Sequence, residues 1–473
     1  MSIHIYNSLT RKKEEFTPLK SSEINMYTCG VTVYDECHIG HARSLYVFDI
    51  IRKYLEYKKF KVNFVRNITD IDDKIINRAN ELKVDWKDLV EKYIASYRKD
   101  LDSLGIRLGM LDKDKEEPRA TKNVEDIKKF IGDLIDKGYA YVTDSGVYFS
   151  VRKFKEYGKL SGQSVDQMLT GVRKDSDESK NDPLDFAIWK KSKEGEPKWD
   201  SPWGAGRPGW HIECSVMSQK YLNTDTLDIH AGGRDLIFPH HENEIAQSEA
   251  RTGKRFANYW IHHGLLTING QKMAKSLSNF ITIKDALSKY PADVLKILYL
   301  QAHYSSPVDF SWERMEEAKK AYGRIEILMH KLDRKYGKRE EIAGGGAGAI
   351  LQFKEDFDKS MDDDFNTPKA LSVLFDMVNK CNKTLESEDE FKAFKLNYAM
   401  SIIKEMADIF GLTFLKEVSG EISDDRVEFH VAARNALKEE KKYTEADKIR
   451  KMLDKKGIIL EDTKDGTTWR RKI

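Results

Sequence analysis

Three clusters of residues have the types and spacing to do chemistry. The first, His38-Ile39-Gly40-His41, sets two imidazoles three residues apart around a glycine. At a strand-to-helix junction such rings can donate to phosphate oxygens where the helix N-terminus already favours anions, and the glycine lets a ligand come close to the backbone. The second, Lys272-Met273-Ala274-Lys275-Ser276, follows the turn signal Asn269-Gly270. Two ammonium groups on a tethered loop can neutralise a leaving pyrophosphate in the transition state. The third is His240 with Glu244, which lie four apart, face one side of a helix and can bind one metal ion together. Cys29 and Cys214 could complete a tetrahedral set, with His241 the rival for the imidazole position and Glu242 and His211 further candidates. Taken singly, each cluster has an ordinary reading. Neighbouring histidines sit in many loops, loop lysines are usually solvated, and a lone cysteine is most often a small buried apolar residue.

These residues need elements to position them. Ile24–Cys29 and Lys61–Arg66 alternate as strands on either side of a helical stretch from His41 to Tyr57. In such a right-handed parallel unit the loop Gly30–His41 faces the ligand crevice. A second region, from Gly209 to Gly264, has a short strand Thr226–His230, then Ala231-Gly232-Gly233 and a helix through Ala250. A doubly wound sheet brings loop ends to one edge, so Cys29 and Cys214 can meet His240 and Glu244 there. Between the halves, residues 115–205 form an insertion with helices, a hairpin at Tyr139–Ser150 and a polar run Arg173–Asn181. Past residue 310 the period turns helical: Met315, Ala318, Tyr322, Ile325, Met329 and Leu332 share a face, with Ser311 as N-cap. Ala343–Gly348 reads as a loop between helices, and Thr367 and Pro368 as the N-cap and first turn of the next. The last 47 residues carry 13 basic and 9 acidic side chains.

The chain has 473 residues, about three domains at roughly 150 residues each. Its 80 basic and 78 acidic residues give a net charge of +2, so any affinity for nucleic acid rests on local basic faces and a polybasic binder is excluded. With 40% apolar and 33% charged residues, the sequence has no run of about 18 apolar residues that could span a bilayer. Met1–Tyr6 gives way to Arg11-Lys12-Lys13-Glu14-Glu15 without a secretory apolar core, so a cytoplasmic protein is expected. The four cysteines, at 29, 37, 214 and 381, form no Cys-x-x-Cys pair, which leaves isolated thiols or metal ligands; Cys37 and Cys381 read as packing residues.

The His-Ile-Gly-His and Lys-Met-Ala-Lys-Ser segments, in this order on either side of a split nucleotide fold, resemble the two signatures of class I aminoacyl-tRNA synthetases. The second departs only at Ala274, where the family has serine. Within the class the resemblance narrows to cysteinyl-tRNA synthetases and covers nearly the whole chain. It is carried by Tyr27–Asp35, Arg66–Lys74, Ser201–Gly204, Trp210–Ser215, Phe238–Glu244 and Met361–Pro368.

The resemblance implies an α/β fold: a class I Rossmann-type catalytic domain in two halves (1–114 and 206–264) split by an inserted connective-peptide domain (115–205). A stem-contact region with the lysine loop (265–310), a DALR-type helical bundle (311–418) and a small C-terminal anticodon-binding domain (419–473) follow. It implies a ligase that activates L-cysteine with Mg-ATP and transfers it to the 3′ end of tRNA(Cys). His38, His41, Lys272 and Lys275 would act in catalysis and, with Gly233 and Asp235, bind ATP. Cys29, Gly30, Thr69, Trp210 and His230 would line the amino-acid pocket, and Cys29, Cys214, His240 and Glu244 would hold one Zn2+. A soft thiolate bonds zinc far better than a hydroxyl does, so the metal would reject serine without an editing domain. Trp469, Arg470 and Arg471 would meet the anticodon, and family habit suggests a monomer away from membranes. Two local departures stand out. Ala231-Gly232-Gly233-Arg234-Asp235 replaces the usual Gly-Gly-Gly-Ser-Asp, and Lys74-Ile75-Ile76-Asn77 lacks the second lysine associated with a pyridoxal-phosphate side activity. The alternatives are a cysteine ligase acting on an amino-sugar, whose known forms lack a C-terminal anticodon-binding part, and a non-catalytic RNA-binding paralogue, expected to lose the signature residues.

Overall fold

Four strands form the central sheet of the computed structural model, which describes residues 2–110, 116–169, 179–274, 277–336, 348–387, 392–414, 424–463 and 466–471. All are parallel, in the order Ala257–His263, Leu227–Gly233, Glu23–Thr32, Lys61–Thr69. Parallel strands are covered on both faces, and the alternation along each strand shows it. Ile24, Met26, Phe64, Ile68, Ile229 and Ile261 join one apolar core, whereas Tyr27, Val65 and Trp260 join another on the opposite face, where His230 stacks on Trp260. The first face is covered by the helix Ile39–Tyr57, buried along most of its length, and the second by Trp210–Leu222 and Glu242–Thr252.

The first strand is irregular where it matters. Its register with Lys61–Thr69 shifts between Thr28 and Val31. Gly30 sits in that irregularity, and a Cβ there would lie 1.5 Å from the Asn67 carbonyl oxygen. No other residue fits so close a backbone approach. The strand Leu227–Gly233 runs three residues past His230, where the sequence pattern ended it, and every residue in it is buried. The helix assigned to follow it begins only at Glu242, after the tight turns Arg234–Leu236 and Ile237–His241.

The insertion has its own antiparallel sheet, in the order Ala140–Thr143, Gly146–Phe149, Phe186–Lys191, Gly206–Pro208, the last strand lying just past the boundary expected at 205, over a core that includes Phe130, Val147 and Trp189. After the central sheet a small sheet, Gln271–Lys272 with Leu266–Ile268 with Val308–Phe310, leads into the helices Trp312–Tyr336, Gly348–Asp362, Thr367–Leu385 and Lys392–Phe410. Met315, Ala318, Tyr322, Ile325, Met329 and Leu332 are all buried along the first of these, and the Ser311 hydroxyl accepts from Arg314 N at 3.3 Å. The N-cap of Thr367–Leu385 is Asn366 rather than Thr367. Its side chain accepts from Lys369 N at 3.2 Å, which moves Thr367 and Pro368 into the first turn.

At the C-terminus two helices, Asp424–Glu439 and Tyr443–Lys455, pack on the hairpin Ile458–Thr463/Gly466–Arg471. Trp469 belongs to that small core with Val427, Leu453 and Leu460; its Nε1 donates to Glu428 at 2.9 Å and Arg334 lies over its ring at 4.7 Å. The indole is thus occupied and does not present a stacking face, contrary to the reading from sequence. Lys275, Ser276, the segment 343–347 and residues 173–178 of the polar run lie outside the described residues, as does the side chain of Arg471. No helix among the described residues is long and apolar enough to cross a membrane.

Candidate active site and metal centre

The two histidines of the first cluster build the N-terminus of the helix Ile39–Tyr57. His38 is the N-cap: its Nδ1 accepts from Gly40 N at 3.1 Å and from His41 N at 3.2 Å. His41 reaches back, its Nδ1 accepting from His38 N at 3.3 Å, so the pair forms a capping box made of imidazoles. The rings stack with centroids 3.7 Å apart. With both Nδ1 atoms accepting, the remaining donor on each ring is Nε2–H. Burial holds the His38 ring at a pKa of about 4, and burial together with the nearby His38 holds His41 well below its ordinary value. The pair is therefore neutral near pH 7, able to donate hydrogen bonds to phosphate and carrying no charge of its own.

The second cluster meets the first directly. Ile39 N donates to Ile281 O at 3.1 Å and Ile283 N to Cys37 O at 2.9 Å, while Phe280 stands edge-on to His38 at 5.4 Å. Met273 Cε lies 3.5 Å from where a Cβ at Gly40 would be, and that Cβ would also be 2.9 Å from the His38 ring, so only glycine leaves room for both. Lys272 is exposed on the two-residue strand Gln271–Lys272 and, among the described residues, pairs with no carboxylate. Asn279 staples the loop from within: its side-chain oxygen accepts from Ala274 N at 2.8 Å and its amide donates to Lys272 O at 3.1 Å.

Cys29, Cys214, His240 and Glu244 place one ligand atom each within 4.8 Å of one another, all buried except the partly exposed Cys29. His240 precedes the regular helix, yet its Nε2 still lies 3.0 Å from Glu244 Oε1. The ligand orientations are fixed from outside the set. His211 Nδ1 meets His240 Nδ1 at 2.9 Å, and His230 Nε2 lies 2.8 Å from Glu244 Oε2. Burial raises the Cys214 thiol, but its hydrogen bonds with Cys29 and His240 outweigh that and hold it below its ordinary value. Burial lowers His240, but the Glu244 carboxylate and Cys214 carry it to about 10. Burial raises Glu244, and His230 and His240 override it to hold the carboxyl well below its usual range. Two thiols, an imidazole and a carboxylate form a donor set of the kind that binds zinc, so the residues present fit that metal. A second combination, Cys29, His230, His241 and Glu244, is equally compact, but it has one sulfur where the first has two. Glu242 plays another part, accepting from Gly158, Leu160 and Ser161 N–H and docking the insertion on the helix.

Around this cluster lie the other sequence-derived positions. Trp210 stacks on His240 with centroids 4.2 Å apart and is 36% exposed, forming part of the wall of an open cavity of about 1400 Å3. Thr69 donates to the buried Glu213 at 2.9 Å, Gly30 N donates to Asn67 Oδ1 at 2.9 Å, and His230 stacks on Trp260 at 4.4 Å. Gly233 and the exposed Asp235 sit at the end of the neighbouring strand, where a Cβ on Gly233 would be 2.4 Å from the Asp235 carboxylate. Sequence reasoning missed Asn67, Glu213 and His262. Nothing in their spacing marks them; each matters through a partner far away in the chain.

The comparisons agree with this geometry. Residues 15–320 match the tRNA synthetases class I (C) catalytic domain and residues 356–415 the DALR domain. A cysteine–tRNA ligase of a Sulfurihydrogenibium species is 49% identical over the whole of both chains. That of Aquifex aeolicus is 46% identical, over 100% of this chain and 99% of its own. Among solved structures, Mycobacterium tuberculosis methionyl-tRNA synthetase in complex with methionyl-adenylate shares the fold at a TM-score of 0.61 and 14% identity, covering 82% of this chain and 90% of that one. An Agrobacterium radiobacter leucyl-tRNA synthetase, solved with tRNA, does so at a TM-score of 0.60 and 10% identity, covering 84% and 86%. The catalytic-domain match, the DALR match and full-length identity near one half together place this chain in the cysteine–tRNA ligase family of class I aminoacyl-tRNA synthetases.

Proposed function

We propose that the crevice at the carboxyl edge of the central sheet activates L-cysteine with Mg-ATP and passes it to the 3′ end of tRNA(Cys). The observation that carries this reading is the placement of a two-sulfur metal set and a phosphate-facing helix N-terminus on one strand and the loop that follows it, Cys29 and His38. The cysteine carboxylate attacks the α-phosphorus in line, forming the adenylate and releasing pyrophosphate. His38 and His41 donate Nε2–H to phosphate oxygens, and the positive charge comes from Lys272 and Lys275. Thr69, Trp210 and His230 line the amino-acid side, and Gly233 with Asp235 the adenosine side. Cys29, Cys214, His240 and Glu244 would hold zinc, which would supply a Lewis acid that prefers the substrate's sulfur to a serine oxygen. A hydroxyl of the terminal adenosine then attacks the activated carbonyl, forming the ester as the carbonyl–phosphate bond breaks and AMP leaves. The two catalytic halves are 1–114 and 206–264, while 311–418 and 419–473 serve the RNA. An amino-sugar acceptor is disfavoured by the DALR match at residues 356–415.

Pyrophosphate exchange into ATP, measured with cysteine, with serine and with neither, tests this reading. Exchange driven by cysteine alone supports it; no exchange under any condition would remove the enzyme reading. Deleting residues 420–473 should spare exchange and impair charging.

A further inference from the structure

The reaction needs the lysine loop and the histidine helix at a fixed separation, and one side chain spans the two. Arg43 lies two residues past His41 on the helix Ile39–Tyr57 and is fully buried. Its guanidinium pairs with no carboxylate among the described residues. Instead it donates to four backbone carbonyls: Nη1 to Gly264 at 2.6 Å and Leu265 at 2.9 Å, and Nη2 to Tyr304 at 3.2 Å and Ser306 at 2.5 Å. These carbonyls come from the two chain segments that run into the small sheet. Gly264–Leu265 leads to the strand Leu266–Ile268, which pairs with Gln271–Lys272, and Tyr304–Ser306 leads to Val308–Phe310. The two segments are already tied together, Gly264 N to Tyr304 O at 2.8 Å and Val308 N to Leu265 O at 3.0 Å. The loop's other arm is fixed to the same helix N-terminus by the Ile39–Ile281 and Cys37–Ile283 backbone bonds and by Lys284 with Glu36 at 2.8 Å.

A guanidinium buried without a counter-charge is an expensive way to fill a core, and an apolar side chain of similar volume would usually be at least as stable there. What arginine supplies is a rigid planar fork whose donors fix several acceptors at once. We propose that Arg43 is a positioning residue for adenylate formation, its fork setting the small sheet that carries Lys272 at a defined distance from His38 and His41. This rests on the reading above that Lys272 neutralises phosphate charge.

The test is pyrophosphate exchange by the full chain carrying Arg43→Lys, Lys272→Ala or both. Lysine keeps the charge and loses the fork, so R43K should lower kcat by up to about 100-fold, the scale of a roughly 1 Å misplacement, with KM for cysteine within about twofold. If Arg43 acts through the loop, K272A should cost less than about threefold more in the R43K background, although alone it costs far more. A cost of K272A that is the same in both backgrounds, or an R43K effect confined to KM for cysteine, overturns the proposal. No effect of K272A alone would instead overturn the role given to Lys272. Should R43K melt below the assay temperature, Gly264→Ala carries the same readout. Its Cβ would meet Ser306 O at 2.3 Å and part the carbonyls from the fork while leaving Arg43 in place.

Discussion

The two signature segments are built in opposite ways. His38 and His41 are locked: each ring caps the other's backbone, they stack on one another, and their tautomers follow from the cap. Lys272 stands exposed on a two-residue strand whose loop is stapled from within by the Asn279 side chain. In the proposed reaction the fixed half would supply neutral donors and the loose half charge. A site that must take in ATP and release pyrophosphate needs strong anion stabilisation that can be withdrawn, and a solvated ammonium on a short arm is easier to withdraw than a buried ring.

The largest effect should come from removing a ring that serves both roles. His38→Ala removes a hydrogen-bond donor from the transition state and the N-cap from a buried helix. Exchange should fall by about 100- to 1000-fold, and stability by about 1 kcal/mol. His38→Asn separates the two roles, because an asparagine oxygen can accept from Gly40 and His41 N–H while the Nε2–H is gone. Stability should recover with no recovery of rate, and a thermal melt beside an exchange assay decides it. Full recovery of both would remove His38 from the catalytic set.

Lys272→Ala should also lower exchange by about 100-fold but leave the melting curve unchanged within about 0.5 kcal/mol, because the side chain is exposed and pairs with no described carboxylate. A comparable loss of stability would mean that the lysine arm is structural after all, and the contrast between the halves would fail.

pH distinguishes the halves again. His38 titrates near 4 in the folded chain and near 6.5 when unfolded. Between those values the unfolded chain binds the extra proton, so stability is complete above about pH 6.5 and falls as pH drops towards 4. Denaturation at pH 7 and pH 5 should differ by about 1–2 kcal/mol more in the parent than in His38→Asn, which has no ring to protonate. Equal losses would mean that the ring is not held neutral.

How far these features were legible in the sequence follows the same division. The helix Ile39–Tyr57 and the flanking strands declare themselves by period, and His240 with Glu244 by spacing, whereas Cys29 and Cys214 are singled out as their partners by the family resemblance. That the histidines are neutral does not show, because it depends on burial and on who caps whom. Arg43 reads as one more basic residue on a helix; its four acceptors come from residues 264–306, which only the fold brings near. Trp469 beside Arg470 reads as a basic aromatic tip for RNA, yet Val427 and Leu453 claim the ring from two other elements. The Asn366 cap was missed by one position because threonine and asparagine are both good caps and Pro368 is acceptable in either frame.

The smallest effect concerns the one departure in the lysine signature. Ala274 stands where the signature it resembles has serine, but in this loop the residue acts through its backbone: its N–H is bound by the Asn279 side chain, which also holds Lys272 O. If that staple sets the loop's shape, Ala274→Ser should change the exchange rate by less than about threefold, since no bond that defines the shape is lost. Asn279→Ala, which leaves Ala274 N and Lys272 O without their partner, should cost about tenfold, the equivalent of one ordinary hydrogen bond. The order of the two is the measurement. A larger effect at Ala274 than at Asn279 would assign the loop's function to the side chain at 274 and remove the staple from the account. The predicted order would mean that the loose half, too, has one fixed element, made from a single amide rather than from two stacked rings.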